Sequence, residues 1–179
     1  KMTLTNKQRV ITNKESLYFN LKEQFPVITK KHLPITVKLE DLKGVLHNHT
    51  TYSDGVHTLS EMANYCKQLG YQYLGICDHS KSAFYAQGLS IEKVIEQQTE
   101  INKLNTAFSD FKILKGIESD ILNDGSLDYP DEILKTFDFI VASIHSNLNM
   151  PEDKATESLI KAIENPFTSI LGHPTGRLL

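Results

Sequence analysis

Five of the seven histidines in this 179-residue chain stand where a short apolar run stops. His47 and His49 follow Gly44-Val45-Leu46. His79 follows Tyr73 to Asp78, His145 follows Phe139 to Ile144, and His173 follows Ser169 to Gly172. Imidazole is the commonest side-chain metal ligand. Short runs rich in Val, Ile, Leu and Phe read as buried strands. Ligands at the ends of several strands imply a fold in which those ends converge, and a pocket that holds more than one metal.

The intervals between the runs support that fold. Strands are expected near residues 44–48, 73–77, 111–117, 137–144 and 168–172. Thr58-Leu59-Ser60-Glu61 is a capping-box sequence. It opens a helix with Met62, Tyr65, Cys66 and Leu69 at apolar positions and Gly70 as its stop. Ser90 caps a helix whose stripe is Ile91, Val94, Ile95, Ile101 and Leu104. Pro151 starts another, with Ala155, Leu159, Ile160 and Ile163 inward and Pro166 beyond its end. Strands alternating with helices give a parallel α/β sheet, whose site lies at the carboxyl ends of the strands. Ser16 to Phe25 reads as a short helix closed by Pro26, and the domain boundary is expected near Leu42.

Each motif has a chemical reading and a plainer one. In a strand, His47 and His49 would face the same way and share a cation. Asp54, in a turn set by Gly55, can fold back toward them. His79 is a ligand candidate. Asp78 beside it either fixes an imidazole tautomer or caps the turn after the strand. Glu118 ends an apolar strand, where a carboxylate is costly unless paired or metal-bound; such a group can bridge two cations. Gly116 would let neighbours approach closely, and Asp120 is a structural or supporting acid. His145 and His173 are each unremarkable alone and gain meaning from the set. Arg177 and Lys81 stand close to ligand positions and could contact phosphate, although Lys81 reads better as a surface charge. His57 and His32 fall outside the ligand set. Asp120 to Gly125 resembles a calcium loop, but Leu122 at its third position and Asp131 at its twelfth exclude an EF-hand.

Bulk properties narrow the classes further. With 40% apolar and 23% charged residues, the chain is globular. No apolar run reaches membrane-spanning length, and no signal peptide is evident. Cys66 and Cys77 form no CxxC pair, which suits a reducing, cytoplasmic setting. Residues 1–43 carry nine basic against four acidic side chains, and residues 44–179 carry ten against eighteen. An acidic domain repels nucleic acid unless cations neutralise its site. Mixed imidazole and carboxylate ligands suit Zn, Mn or Fe, and phosphoester hydrolysis is the natural reaction of such a cluster.

The stretches HNHTTYSDG, ICDHS, GIESDI, ASIHS and LGHPTGRLL, taken in order, resemble the PHP (polymerase and histidinol phosphatase) superfamily. They are most similar to the C-terminal PHP domain of bacterial family X DNA polymerases. The resemblance covers Gly44 to Leu179, and residues 1–43 look like the end of the polymerase thumb and a short basic connector. It implies a distorted (β/α)7 TIM-like barrel, incomplete here at about five βα units. It also implies three metals, Mn2+ or Zn2+, with ligands His47, His49, Asp54, His79, Glu118, His145 and His173. His47, His49 and Glu118 would share one metal, and Asp54 and His79 a second. Glu118, His145 and His173 would hold a third. Asp78 and Arg177 are the candidate catalytic residues.

The resemblance further implies 3′–5′ exonuclease and 3′-phosphatase activity on DNA, with DNA met through the full-length protein. The family's final Asp-x-His element is missing. The expectation is therefore a fragment with impaired catalysis that holds one metal and self-associates through its open barrel. A histidinol-phosphate phosphatase and a non-catalytic module supporting a polymerase are the competing readings.

Overall fold

The computed structural model describes residues 37–174. The expectations for Ser16 to Phe25, Pro26, His32 and Arg177 lie outside the described residues. From Leu42 onward the chain is one structural unit. Its five strands are β1 (Gly44–Asn48), β2 (Tyr73–Ile76), β3 (Lys112–Asp120), β4 (Phe139–Ser143) and β5 (Ile170–Leu171). All pair in parallel, in chain order, and curl with their helices into an α/β half-barrel of the TIM-like kind. The crossovers carry α1 (Leu59–Gln68), α2 (Ile91–Ala107), the single turn α3 (Asp131–Leu134) and α4 (Glu152–Glu164).

Local signals set the helix boundaries. The Thr58 hydroxyl accepts from the Glu61 backbone N–H while the Glu61 carboxylate takes the Thr58 N–H, so two orphan donors of α1 are satisfied reciprocally. Ser90 caps α2 through the Lys93 N–H. Pro151 immediately precedes α4, where a missing N–H costs nothing.

Most of each expected stripe packs inward, with Met62, Cys66, Ile91, Val94, Ile101, Leu104 and Leu159 in or against the apolar clusters, but some stripe residues face out. Tyr65 of α1, Leu69 at its C-terminal cap, Ile95 of α2, and Ile160 and Ile163 of α4 are exposed. Ala63, Gln97, Ser158 and Ala162 are buried in their place. Small side chains on the inner face let a helix axis approach the sheet closely, and that geometry overrides the larger apolar residues. β3 also runs past its expected end, because Glu118, Ser119 and Asp120 keep the ladder with β4 while their side chains find polar partners.

The outer face of the sheet meets the helices in two apolar clusters. Leu74, Ile76 and Ile113 pack with Leu59, Ala63 and Ile101; Ile117 and Ile140 pack with Val94, Leu134 and Ala162. The inner face carries Cys77, Phe139 and Val141. There the Phe139 ring lies across Gly116, whose added Cβ would come within 2.3 Å of Phe139 Cζ and 2.5 Å of the Ile76 carbonyl oxygen. Glu118 is two residues further along the same face, so this ring is the floor beneath it. Gly116→Ala should therefore destabilise the fold by about 1–3 kcal/mol, read as a lower urea midpoint with an unchanged slope.

Candidate metal centre

Glu118 is buried, with 1% of its surface exposed, at the carboxyl end of β3. Its Oε1 lies 3.0 Å from His47 Nε2, 3.3 Å from His145 Nε2 and 2.9 Å from His173 Nε2, and accepts a 2.8 Å hydrogen bond from Ser143 Oγ. Its Oε2 lies 3.5 Å from His49 Nε2 and 3.2 Å from His79 Nδ1. One carboxylate thus meets all five strand-end histidines. Burial pushes its pKa up, but hydrogen bonds from His145, His47 and Ser143 outweigh that and hold it far below the ordinary carboxylate range.

The two histidines of β1 reach this point by a route the strand pattern does not contain. Pairing with β2 slips between Val45 and Asn48, and His47 adopts a left-handed φ of 62°. His49 lies just beyond the strand. The two therefore converge through a bulge, not through strand alternation, and address different oxygens of Glu118. Asp54 returns to the site as expected. The turn behind it closes with Ser53 N–H and Gly55 N–H on the Thr50 carbonyl at 3.1 and 2.9 Å. Only glycine fits at position 55, where a Cβ would stand 2.2 Å from the His49 carbonyl oxygen. Asp54 Oδ1 is 3.5 Å from His49 Nδ1, and Oδ2 is 3.8 Å from His79 Nε2.

Three ligand triads have donor atoms close enough for one cation each: His47, His49 and Glu118; His49, Asp54 and His79; and His79, Glu118 and His145. His145, His173 and Glu118 make a fourth compact set, with imidazole nitrogens 3.3 Å apart. The expected partition into three sets is thus loosened: His49 joins Asp54 and His79, and His79 serves two triads. Hydrogen bonding alone does not account for the cluster. Oε1 has four close neighbours, more than its two lone pairs serve. The buried His49 Nδ1 and His79 Nδ1 have no hydrogen-bond partner among the described residues. Buried unpaired nitrogens aimed into a carboxylate-lined site fit divalent cations.

The neighbouring acids divide the supporting work differently from the sequence reading. Asp78 does not orient an imidazole. Fully buried, it accepts from Thr50 N–H at 2.7 Å, Thr50 Oγ1 at 2.7 Å, Ser53 Oγ at 2.5 Å and Gln97 Nε2 at 2.6 Å. These bonds use its acceptor capacity and pin the β1–α1 loop that carries His49 and Asp54. The imidazole partner is Asp120, whose Oδ1 lies 2.6 Å from His145 Nδ1. Burial lowers the His145 pKa, yet Asp120 and Glu118 prevail and raise it to about 9. Burial lowers the His79 pKa despite the opposing pull of Glu118, which favours the neutral form that ligates.

Lys81 turns away from phosphate-binding duty and sits 5.7 Å over the Tyr129 ring. The calcium-like loop has its oxygens engaged elsewhere: Asp120 takes Ser82 Oγ and His145, and Asp124 takes Ser126 and Lys161. His57 is exposed and belongs to none of the ligand triads. Ser143, at the end of an apolar strand, and Gln97, in a polar stretch of α2, carry no ligand signature in the sequence.

The PHP domain profile matches residues 46–175. The chain belongs to the PHP domain family. It is 47% identical over 143 residues to the DNA polymerase/3′-5′ exonuclease PolX of Bacillus subtilis (strain 168), covering 80% of this chain and 25% of that protein. It is 34% identical over 143 residues to a probable phosphatase of Thermoanaerobacter sp. (strain X514), covering 74% of this chain and 55% of the relative. A probable phosphatase of Clostridium acetobutylicum is 35% identical over 133 residues, with 72% and 52% covered. This PHP chain therefore spans about a quarter of the polymerase and about half of the phosphatases it matches. Among the described residues no helix is long and apolar enough to cross a membrane.

Two substitutions test the division of labour. Asp78→Ala strands four donors in the interior and should cost about 3 kcal/mol or more, measured by chemical denaturation. Asp120→Asn removes the charge that holds the His145 proton, so the pKa should fall from about 9 toward the usual imidazole value. Imidazole NMR titration of metal-free protein reads that shift.

Proposed function

We propose that this PHP domain is a metal-dependent phosphoesterase that acts, within its whole protein, on DNA 3′ ends as a 3′–5′ exonuclease and 3′-phosphatase. The observation that carries the reading is the meeting of five imidazoles and Asp54 around one buried carboxylate. The identity to a polymerase and exonuclease over most of the chain favours DNA as the substrate. The ligands would be His47, His49, Asp54, His79, Glu118, His145 and His173, with Mn2+ or Zn2+ suited to their mixed nitrogen and oxygen donors. The chemistry gained on binding such ions is an acidified water and a clamp on the phosphoryl oxygens.

The chain's own residues prepare that chemistry. Glu118 stays ionised and faces several ligand nitrogens at once, so it is placed to bridge. Asp120 fixes the orientation of His145 through Nδ1 and leaves Nε2 facing Glu118. Asp78 holds the β1–α1 loop, which keeps Asp54 against His49 and His79. Arg177 remains the candidate phosphate contact.

The probable-phosphatase relatives favour a second reading, hydrolysis of a small phosphate ester such as histidinol phosphate. Assays with a 3′-phosphorylated oligonucleotide and with histidinol phosphate, both in Mn2+, separate the two. Under the DNA reading the oligonucleotide is the better substrate by kcat/KM. Chelation should abolish turnover and added Mn2+ restore it. Glu118→Gln keeps the shape of the side chain but removes its charge. It should lower kcat about 10²–10³-fold and reduce bound metal in elemental analysis. Retained activity with no bound metal would overturn the proposal.

A further inference from the structure

Phe84 and Tyr85 are exposed by 86% and 69%, although they adjoin the most deeply buried part of the β2–α2 connection. They sit in a 3-10 turn, Phe84–Ala86. The turn is firmly held: Ala83, Ala86 and Leu89 are fully buried around it. Ser82 N–H donates to Asp128 Oδ2 at 2.7 Å and Ser82 Oγ to Asp120 Oδ2 at 2.9 Å. Leu89 N–H bonds the His79 carbonyl at 2.8 Å. Two large aromatic rings are thus presented to solvent by a rigid support, where folding gains nothing from them. The Tyr85 ring centroid is 6.0 Å from that of His79 and 6.2 Å from that of His145, edge-on to both. The same Asp120 carboxylate anchors this turn and orients His145.

We infer that Tyr85, with Phe84 beside it, is a stacking platform for the nucleobase of the nucleotide whose phosphoester lies in the metal centre. The inference rests on the phosphoester reading and names the part of the substrate recognised beyond the phosphate. Residues 44–179 carry eight more acidic than basic side chains, so attraction for a polyanion away from bound cations is weak. A π face attracts a base without needing charge and accepts any base sequence. Its place at the rim, one ring away from two ligand candidates, matches a base attached to a sugar whose ester is being cut.

The probe is a single-stranded oligonucleotide with 2-aminopurine at its 3′ end and a phosphorothioate terminal linkage, bound to the chain in Mn2+. Stacking on Tyr85 should quench the fluorescence. Tyr85→Ala should abolish the quench and weaken binding about tenfold or more, and Tyr85→Phe should restore both. On cleavable substrates, Tyr85→Ala should lower kcat/KM for a base-bearing 3′ end and leave an abasic 3′ end unchanged. Equal loss on both substrates, or no quench with an enzyme that does hydrolyse DNA, overturns the platform and leaves the phosphoester reading standing. Quenching that Tyr85→Ala removes supports the platform, and absence of ester hydrolysis by the whole protein overturns the reading beneath it. No quenching by the chain and no hydrolysis by the whole protein together remove both.

Discussion

A carboxylate with almost no solvent contact is unstable as an anion unless its surroundings replace water, and Glu118 is such a group. Ser143 supplies one hydrogen bond, and five imidazoles from four strand ends supply the rest of the polar shell. That requirement fixes much else. β3 must continue to Asp120 so that Glu118 stays in the ladder between His79 and β4. β1 must break its register so that His47 and His49 both arrive. The inner floor must admit the Phe139 ring, which only a glycine at position 116 allows. Each of these departures from regular structure is local and would be disfavoured alone. Together they assemble around one anion.

The two buried aspartates that flank histidines show how position, not residue type, assigns roles. Asp78 and Asp120 both lie in polar stretches at strand ends and are both nearly inaccessible. Asp78 faces the outer side, toward Thr50, Ser53 and Gln97 of the surrounding loop and α2, and becomes an anchor for backbone. Asp120 emerges at the end of β3 beside the β4 terminus, where His145 is the partner within reach. Successive strands thus use one acid to hold a ligand-bearing loop and another to hold a ligand. Loss of the first would blur the position of Asp54; loss of the second would free the His145 ring.

The parallel α/β frame and the set of converging ligands were legible because both depend on strong local signals: apolar runs, caps, and polar groups that end those runs. Thr58, Ser90 and Pro151 marked helix starts because capping acts over three residues. What stayed hidden depends on contacts distant in sequence. The left-handed His47 falls where the pairing of β1 with β2 slips, a long-range feature with no local signal. Ala63, Ser158 and Ala162 face inward because the sheet needs close helices, whereas Ile160 and Ile163 carry the louder apolar signal and face out. The choice between Asp78 and Asp120 as imidazole partner turns on side-chain direction at two strand ends. Tyr85 gave no signal at all, since an aromatic near an apolar run reads as core.

Charge is the remaining constraint on how such a site meets its substrate. The PHP region is acidic overall, and among the described residues its buried acids, Asp78, Glu118, Asp120 and Asp128, have no buried lysine or arginine to offset them. A phosphodiester approaching the bare site would meet the exposed Asp54 carboxylate first, with the buried Glu118 and Asp120 charges behind it. Under the proposed reading, bound cations would reverse that field at short range and leave it acidic at long range. Under the proposed reading, the domain would then hold a phosphoester only where the cations are and gain little from the flanking backbone. Affinity for the rest of a nucleic-acid strand has to come from uncharged contacts at the rim or from elsewhere in a larger protein. Under that same reading, the division would let the site grip a chain end firmly without binding along the strand.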